Sequence, residues 1–236
     1  MTWKSPLSVY KLAVAQNSSP GRKEVQGETG FPAGALAIEP MNFHPDSCRE
    51  CKTRVRELLF ELYGVCRVDQ SFPWPSHPGS YAGTLVGEIL EGVKTDLGLL
   101  RGHRDFIKAP QMPPCDYYLP GVGLIVEFDE RQHFTRARQV TLGRYRPEVP
   151  VGFSIPLWID LCTKVAAEDP DPPDRDERRA WYDALRDLLP SLRGLRPTVR
   201  LYSGAFRWCS LRAHREDDVE TFRLLLPDLP EDTKRR

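Results

Sequence analysis

The stretch Cys115-Asp116-Tyr117-Tyr118-Leu119-Pro120-Gly121-Val122-Gly123-Leu124-Ile125-Val126-Glu127-Phe128-Asp129-Glu130-Arg131-Gln132-His133 decides the fold. Pro120 and Gly121 are strong turn residues: proline presets φ at the second turn position and glycine accepts a positive φ at the third. A Pro-Gly pair is not the favoured two-residue hairpin turn, so a loop running through Gly123 is the alternative. Side chains alternate along a strand with period two, and directly opposed residues share a face. A two-residue loop sets Asp116 opposite Ile125, and a four-residue loop sets it opposite Glu127. Both registers put Asp116, Glu127 and Asp129 on one face and Leu124, Val126 and Phe128 on the other. The run Leu124-Ile125-Val126-Phe128 predicts a strand buried on both faces. Three converging carboxylates repel one another and cost stability. A divalent cation resolves that repulsion; an edge position with the acids in solvent is the other solution.

Outward from the hairpin, Val55, Leu58, Leu59, Leu62 and Tyr63 predict an amphipathic helix over 48–63, stopped at Gly64. Residues 65–72 read as a strand, and Pro73, Pro75, Pro78 and Gly79 force a loop. A second helix is predicted over 83–100. Residues 134–156 are arginine-rich and then irregular, and 157–162 read as a core strand. Asp174 or Asp176 can cap a helix whose stripe is Trp181, Ala184, Leu185, Leu188 and Leu189. Residues 198–202 are a strand and 222–226 a terminal element. Residues 1–46, rich in Gly, Pro, Ser and Asn, form an irregular extension. Residues 47–226 form one domain with an insertion at about 73–110, and 227–236 are a polar tail.

With 236 residues and 33 basic against 33 acidic side chains, bulk charge does not point to nucleic acid. Arginine outnumbers lysine about three to one, which suits phosphate binding but also follows from base composition. No apolar run approaches the roughly 20 residues that span a bilayer, so a soluble cytoplasmic protein with no membrane partner is expected. Six cysteines scattered through the chain favour reduced thiols over a disulfide framework. Cys48 and Cys51 could be half of a structural zinc site, with His44 or Cys66 as further ligands, or two free thiols at a helix start.

An Asp at the end of one strand, a turn, and an apolar strand ending in Glu-x-Asp resembles the PD-(D/E)xK nuclease core. Val126-Glu127-Phe128-Asp129 followed by Gln132-His133-Phe134 is similar to a narrower group, the very-short-patch-repair endonucleases and their relatives. The resemblance covers about twenty residues. It implies an α/β fold of restriction-endonuclease-like type: a short mixed sheet flanked by helices. It further implies a metal-dependent nuclease acting on DNA, with Mg²⁺ or Mn²⁺ on Asp116 and Glu127. Asp129 would stand where the family carries a lysine, and His133, beside Gln132, would be the acid/base candidate. The missing lysine leaves Arg131, His133 or a second metal ion to offset charge in the transition state. It also leaves open a nucleic-acid-binding or interaction module that has kept the fold without the chemistry. Cys115 replaces the usual proline before the Asp. Arg131, Arg136 and Arg138 are the candidate backbone contacts. By looser resemblance, Arg178 and Arg179 lie in a helix near the DNA. Glu50, Glu57 and Glu61 are the helix acids that could join the site, although Glu57 and Glu61 lie opposite the apolar stripe.

Overall fold

The computed structural model describes residues 48–226; the extension and the polar tail lie outside the described residues. The elements run α1 (Arg49–Tyr63), β1 (Arg67–Gln70), α2 (Leu85–Leu100), β2 (Cys115–Leu119), β3 (Leu124–Asp129), α3 (Arg136–Leu142), α4 (Ile155–Val165), α5 (Arg175–Leu192), β4 (Val199–Tyr202) and α6 (Glu216–Leu225), with short 3-10 turns between. One mixed sheet has the order β1-β2-β3-β4. The first three strands are antiparallel and β4 is parallel to β3.

The hairpin takes the longer loop. Tyr117 pairs with Val126 and Leu119 with Leu124, so Pro120–Gly123 form a four-residue connection and the register sets Asp116 opposite Glu127. The positive φ falls at Gly123 (60°), two residues beyond the glycine that a Pro-Gly turn would use. Tyr117, Leu119, Leu124, Val126 and Phe128 pack with Val199 and Leu201 on one side of the sheet. α1 covers them with Cys51, Val55, Leu58 and Leu59, a stripe at helical spacing. Gly64, at φ 79°, ends α1 and returns its N–H to Phe60 O. Phe222 of α6 joins the same cluster.

α5 packs over the other side. Trp181, Ala184, Leu185, Leu188 and Leu189 are all buried in a core shared with α2, Ile125 and Phe106. The segment 73–110, expected as an insertion, therefore builds the core: Ile89, Leu90, Val93 and Leu97 of α2 are buried against α5.

Two expectations fail. Residues 157–162 are helix, not strand: Ser154 Oγ caps the Leu157 N–H, Pro156 fits the first turn, and Trp158 and Cys162 are buried one helical turn apart. Residues 134–156 are not wholly irregular, because Thr135 Oγ1 accepts from the Arg138 N–H and starts α3. Both helices close a third cluster around Phe134, Leu142, Phe153 and Trp158. β1 is shorter than expected and lies at the edge with Val68 exposed. Asp69 at φ 50° interrupts its pairing, which blunts an otherwise open edge.

Candidate active site

β2 and β3 deliver Asp116 and Glu127 side by side. The Asp116 N–H donates to Glu127 Oε1 (3.2 Å), and the Phe128 N–H donates to Asp116 Oδ2 (2.9 Å). Each carboxylate is thus fixed by a backbone amide of the opposing strand. Asp116 is about a quarter exposed while Glu127 is buried. Burial pushes the Glu127 carboxyl up to about 7; Asp116 adds to the rise and Arg186 opposes it. Arg186 Nε lies 3.5 Å from Glu127 Oε1 but makes no hydrogen bond there, so it is a charge neighbour rather than a donor.

The cation at the mouth of this pair is Lys52, from the first turn of α1. Its Nζ lies 3.3 Å from Asp116 Oδ1 and 3.7 Å from Glu130 Oε2. Burial works to lower the Lys52 ammonium, but Asp116, Glu130 and Glu127 outweigh it and hold its pKa above the ordinary value. The Tyr117 O–H donates to Lys52 O (2.9 Å) and fixes the backbone there. The α1 candidates by sequence are the acids Glu50, Glu57 and Glu61, and Lys52 is not among them. In the structure Arg54 pairs with Glu57 and lies 4.0 Å from Glu50, while Lys52 is the α1 side chain that reaches Asp116.

Asp129 shares the face of Glu127, as the register requires, but is occupied. Oδ1 accepts from Arg200 Nη1 (2.6 Å) and Oδ2 from Trp158 Nε1 (2.7 Å). Arg200 also reaches Asp187 Oδ1 (2.7 Å) and Asp183. His133 Nδ1 lies 3.0 Å from Asp183 Oδ2 and 3.5 Å from Asp129. Burial alone would lower the His133 pKa; Asp183 and Asp129 raise it above the ordinary value. Asp183 answers in the opposite direction: despite burial, His133 and Arg200 hold it well below the usual carboxylate range. His133 therefore belongs to an ionic network beneath the carboxylate pair, as does Asp129. Arg200, Asp183, Asp187 and Arg186 were not singled out in the sequence; the available signal was the i, i+4 pair Asp183/Asp187 flanking the apolar stripe of α5, together with Arg200 inside an apolar strand.

Arg138 is not a contact to a phosphate backbone. It is fully buried, donates to Asp187 (2.6 Å) and Tyr145 (3.1 Å), and cannot reach a nucleic-acid backbone. Arg131 and Arg136 are exposed. Gln132 Nε2 donates to Glu130, and the Gln132 backbone carbonyl accepts from Arg179 Nη1. Arg179 is further tied to Asp169. On α1, Arg49, Lys52 and Arg56 follow at i, i+3 and i+7 and so share a face; Arg49 and Arg56 are exposed.

A second cluster could hold a metal ion. The sulfurs of Cys48, Cys51 and Cys209 lie within 4.8 Å of one another. Cys66 is outside that group, and His44 lies outside the described residues. No described helix is long and apolar enough to cross a membrane. Comparison with protein-family models, with curated proteins and with solved structures returned no match.

Proposed function

We propose that the chain is a metal-dependent phosphodiesterase acting on nucleic acid, with DNA as the substrate implied by the sequence resemblance. The observation that carries this reading is the pairing of Asp116 with Glu127 across β2 and β3, with Lys52 at its open side. Glu127 fits a cation: it is a buried carboxyl beside a second one, and burial has raised its pKa to about 7. Two carboxylates are enough, because Mg²⁺ keeps several of its waters. Zinc, which favours sulfur and nitrogen ligands, would suit the thiols better than these oxygens. When bound, Mg²⁺ or Mn²⁺ would polarise a phosphate and lower the pKa of a coordinated water.

The chain's own groups supply the rest. The amides of Asp116 and Phe128 hold the two carboxylates in place before any ligand arrives. Lys52 brings a protonated ammonium to the partly exposed side of Asp116, where negative charge would grow on the phosphate. It can do the work that a lysine at position 129 would do, which leaves Asp129 free to anchor Arg200. Arg49 and Arg56 extend the positive stripe along α1 and suit contacts to a phosphate backbone. A mixed sheet of three antiparallel strands and a fourth parallel to the third, with α2 between β1 and β2 and α3, α4 and α5 before β4, supports the reading.

One observation favours a rival, a nucleic-acid-binding module without chemistry. Lys52 and Arg186 already stand against Asp116 and Glu127 and offset their charge without a metal. Cleavage of plasmid and single-stranded DNA with Mg²⁺ or Mn²⁺ separates the two. Wild type should cut, and Asp116→Asn and Glu127→Gln should lose about 10²-fold or more in rate. Wild type that binds DNA and cuts neither substrate would favour the rival.

A further inference from the structure

We propose that Cys48, Cys51 and Cys209 hold one zinc ion, which pins the first turn of α1 to the 3-10 turn Trp208–Ser210. Two cysteines at this spacing in sequence are only half of a site. The fold supplies the third from the far end of the chain. Trp208 is buried in the α1 side of the sheet, where it packs against Phe128 and Phe222. That packing presents Cys209 to the start of α1. The three sulfurs then lie within 4.8 Å of one another. Ligand sulfurs about 2.3 Å from a tetrahedral zinc are roughly 3.8 Å apart, so a closure of an ångström or less completes the site.

A separate feature fixes the first sulfur in place. Cys48 is the N-cap of α1, and the Cys51 N–H points at its sulfur, 3.3 Å away. Binding replaces three S–H protons with three Zn–S bonds and releases the protons to solvent; no oxidant is consumed. Three sulfurs leave the fourth corner of a tetrahedral ion to a water; Cys48 and Cys209 are half-buried. The site does not depend on the nuclease reading. It does bear on Lys52, which follows Cys51 directly: the ion would hold the turn that carries the ammonium to Asp116.

The test uses the full chain, purified under reducing conditions. Elemental analysis should find one zinc per chain. Exchange for Co²⁺ should give a thiolate-to-cobalt charge-transfer band of an intensity matching three sulfurs. Cys51→Ser and Cys209→Ser should abolish both signals, while Cys66→Ser and Cys162→Ser keep them. Wild type needs no folding control: with zinc bound, alkylation mapped by mass spectrometry should spare Cys48, Cys51 and Cys209 and reach them after chelation. No bound metal in wild type, a band matching two sulfurs, or a Cys209 that alkylates equally with and without zinc would overturn the site.

Discussion

Glu127 holds its proton near neutral pH because the hairpin register buries it beside Asp116, and this has a thermodynamic consequence. A carboxyl near 4.3 in the unfolded chain and about 7 in the fold keeps the folded state protonated between those values. Stability then falls as pH rises from about 4.3 through 7, by at most about 4 kcal/mol. His133 has the same sign: its raised folded pKa gives stability that is fully present below about 6.5 and is lost as pH rises through the folded value. Glu127→Gln removes the first contribution and leaves the second. Denaturation without added Mg²⁺ should therefore find this variant more stable than wild type at pH 8 and close to it at pH 5; parallel curves would count against a buried, proton-holding Glu127. Lys52 makes a different prediction, since it is partly exposed and its pairing contributes little to stability. Lys52→Ala should lower DNA cleavage about 10²-fold with an almost unchanged unfolding midpoint, and Lys52→Arg should restore part of the rate. Arg200 is the reverse case. Arg200→Met leaves Asp129, Asp183 and Asp187 buried with less compensation and should cost about 3–5 kcal/mol in urea unfolding.

Among the elements, the β2–β3 hairpin was legible because Leu124, Val126 and Phe128 fix one face and a loop of even length keeps the acids on the other. α1 and α5 were legible from their stripes. The segment 157–162 was not, because a short apolar run does not separate strand from buried helix by period alone; Ser154 and Pro156 just before it were the informative residues. The side chains that complete the site were hidden for another reason. Lys52, Arg200 and Asp183 take their roles from partners 64, 71 and 50 positions away, and no local pattern carries such pairings. Asp116 and Glu127 were found because one turn makes them neighbours. Arg138 was misplaced because a basic side chain in an arginine-rich segment looks solvated until Asp187 is brought beneath it. α2 depends on a close approach that only glycine permits: a Cβ on Gly87 would lie 2.1 Å from Tyr81 O. Gly87→Ala should destabilise by about 1–3 kcal/mol, as overpacking does, and the loss should appear as a lower urea midpoint with an unchanged slope.

At the scale of the whole molecule, the sheet divides two chemistries. One side, under α1 and α6, is apolar and ends at the three thiols. The other, under α5, carries a buried ionic network that supports the carboxylates from below. Asp116, Glu127 and Lys52 meet where β2, β3 and the first turn of α1 converge, so the site draws on both sides of the sheet. The central claim is that Asp116 and Glu127 form one site for a hard divalent cation. It is tested most directly by titrating Mn²⁺ into the zinc-saturated chain, following the loss of the free-Mn²⁺ paramagnetic resonance signal, and repeating with Asp116→Asn and Glu127→Gln. The account predicts one Mn²⁺ per wild-type chain, displaced by excess Mg²⁺, with binding lost in both variants. Wild type that binds no Mn²⁺, or variants that bind it as well as wild type, would contradict it.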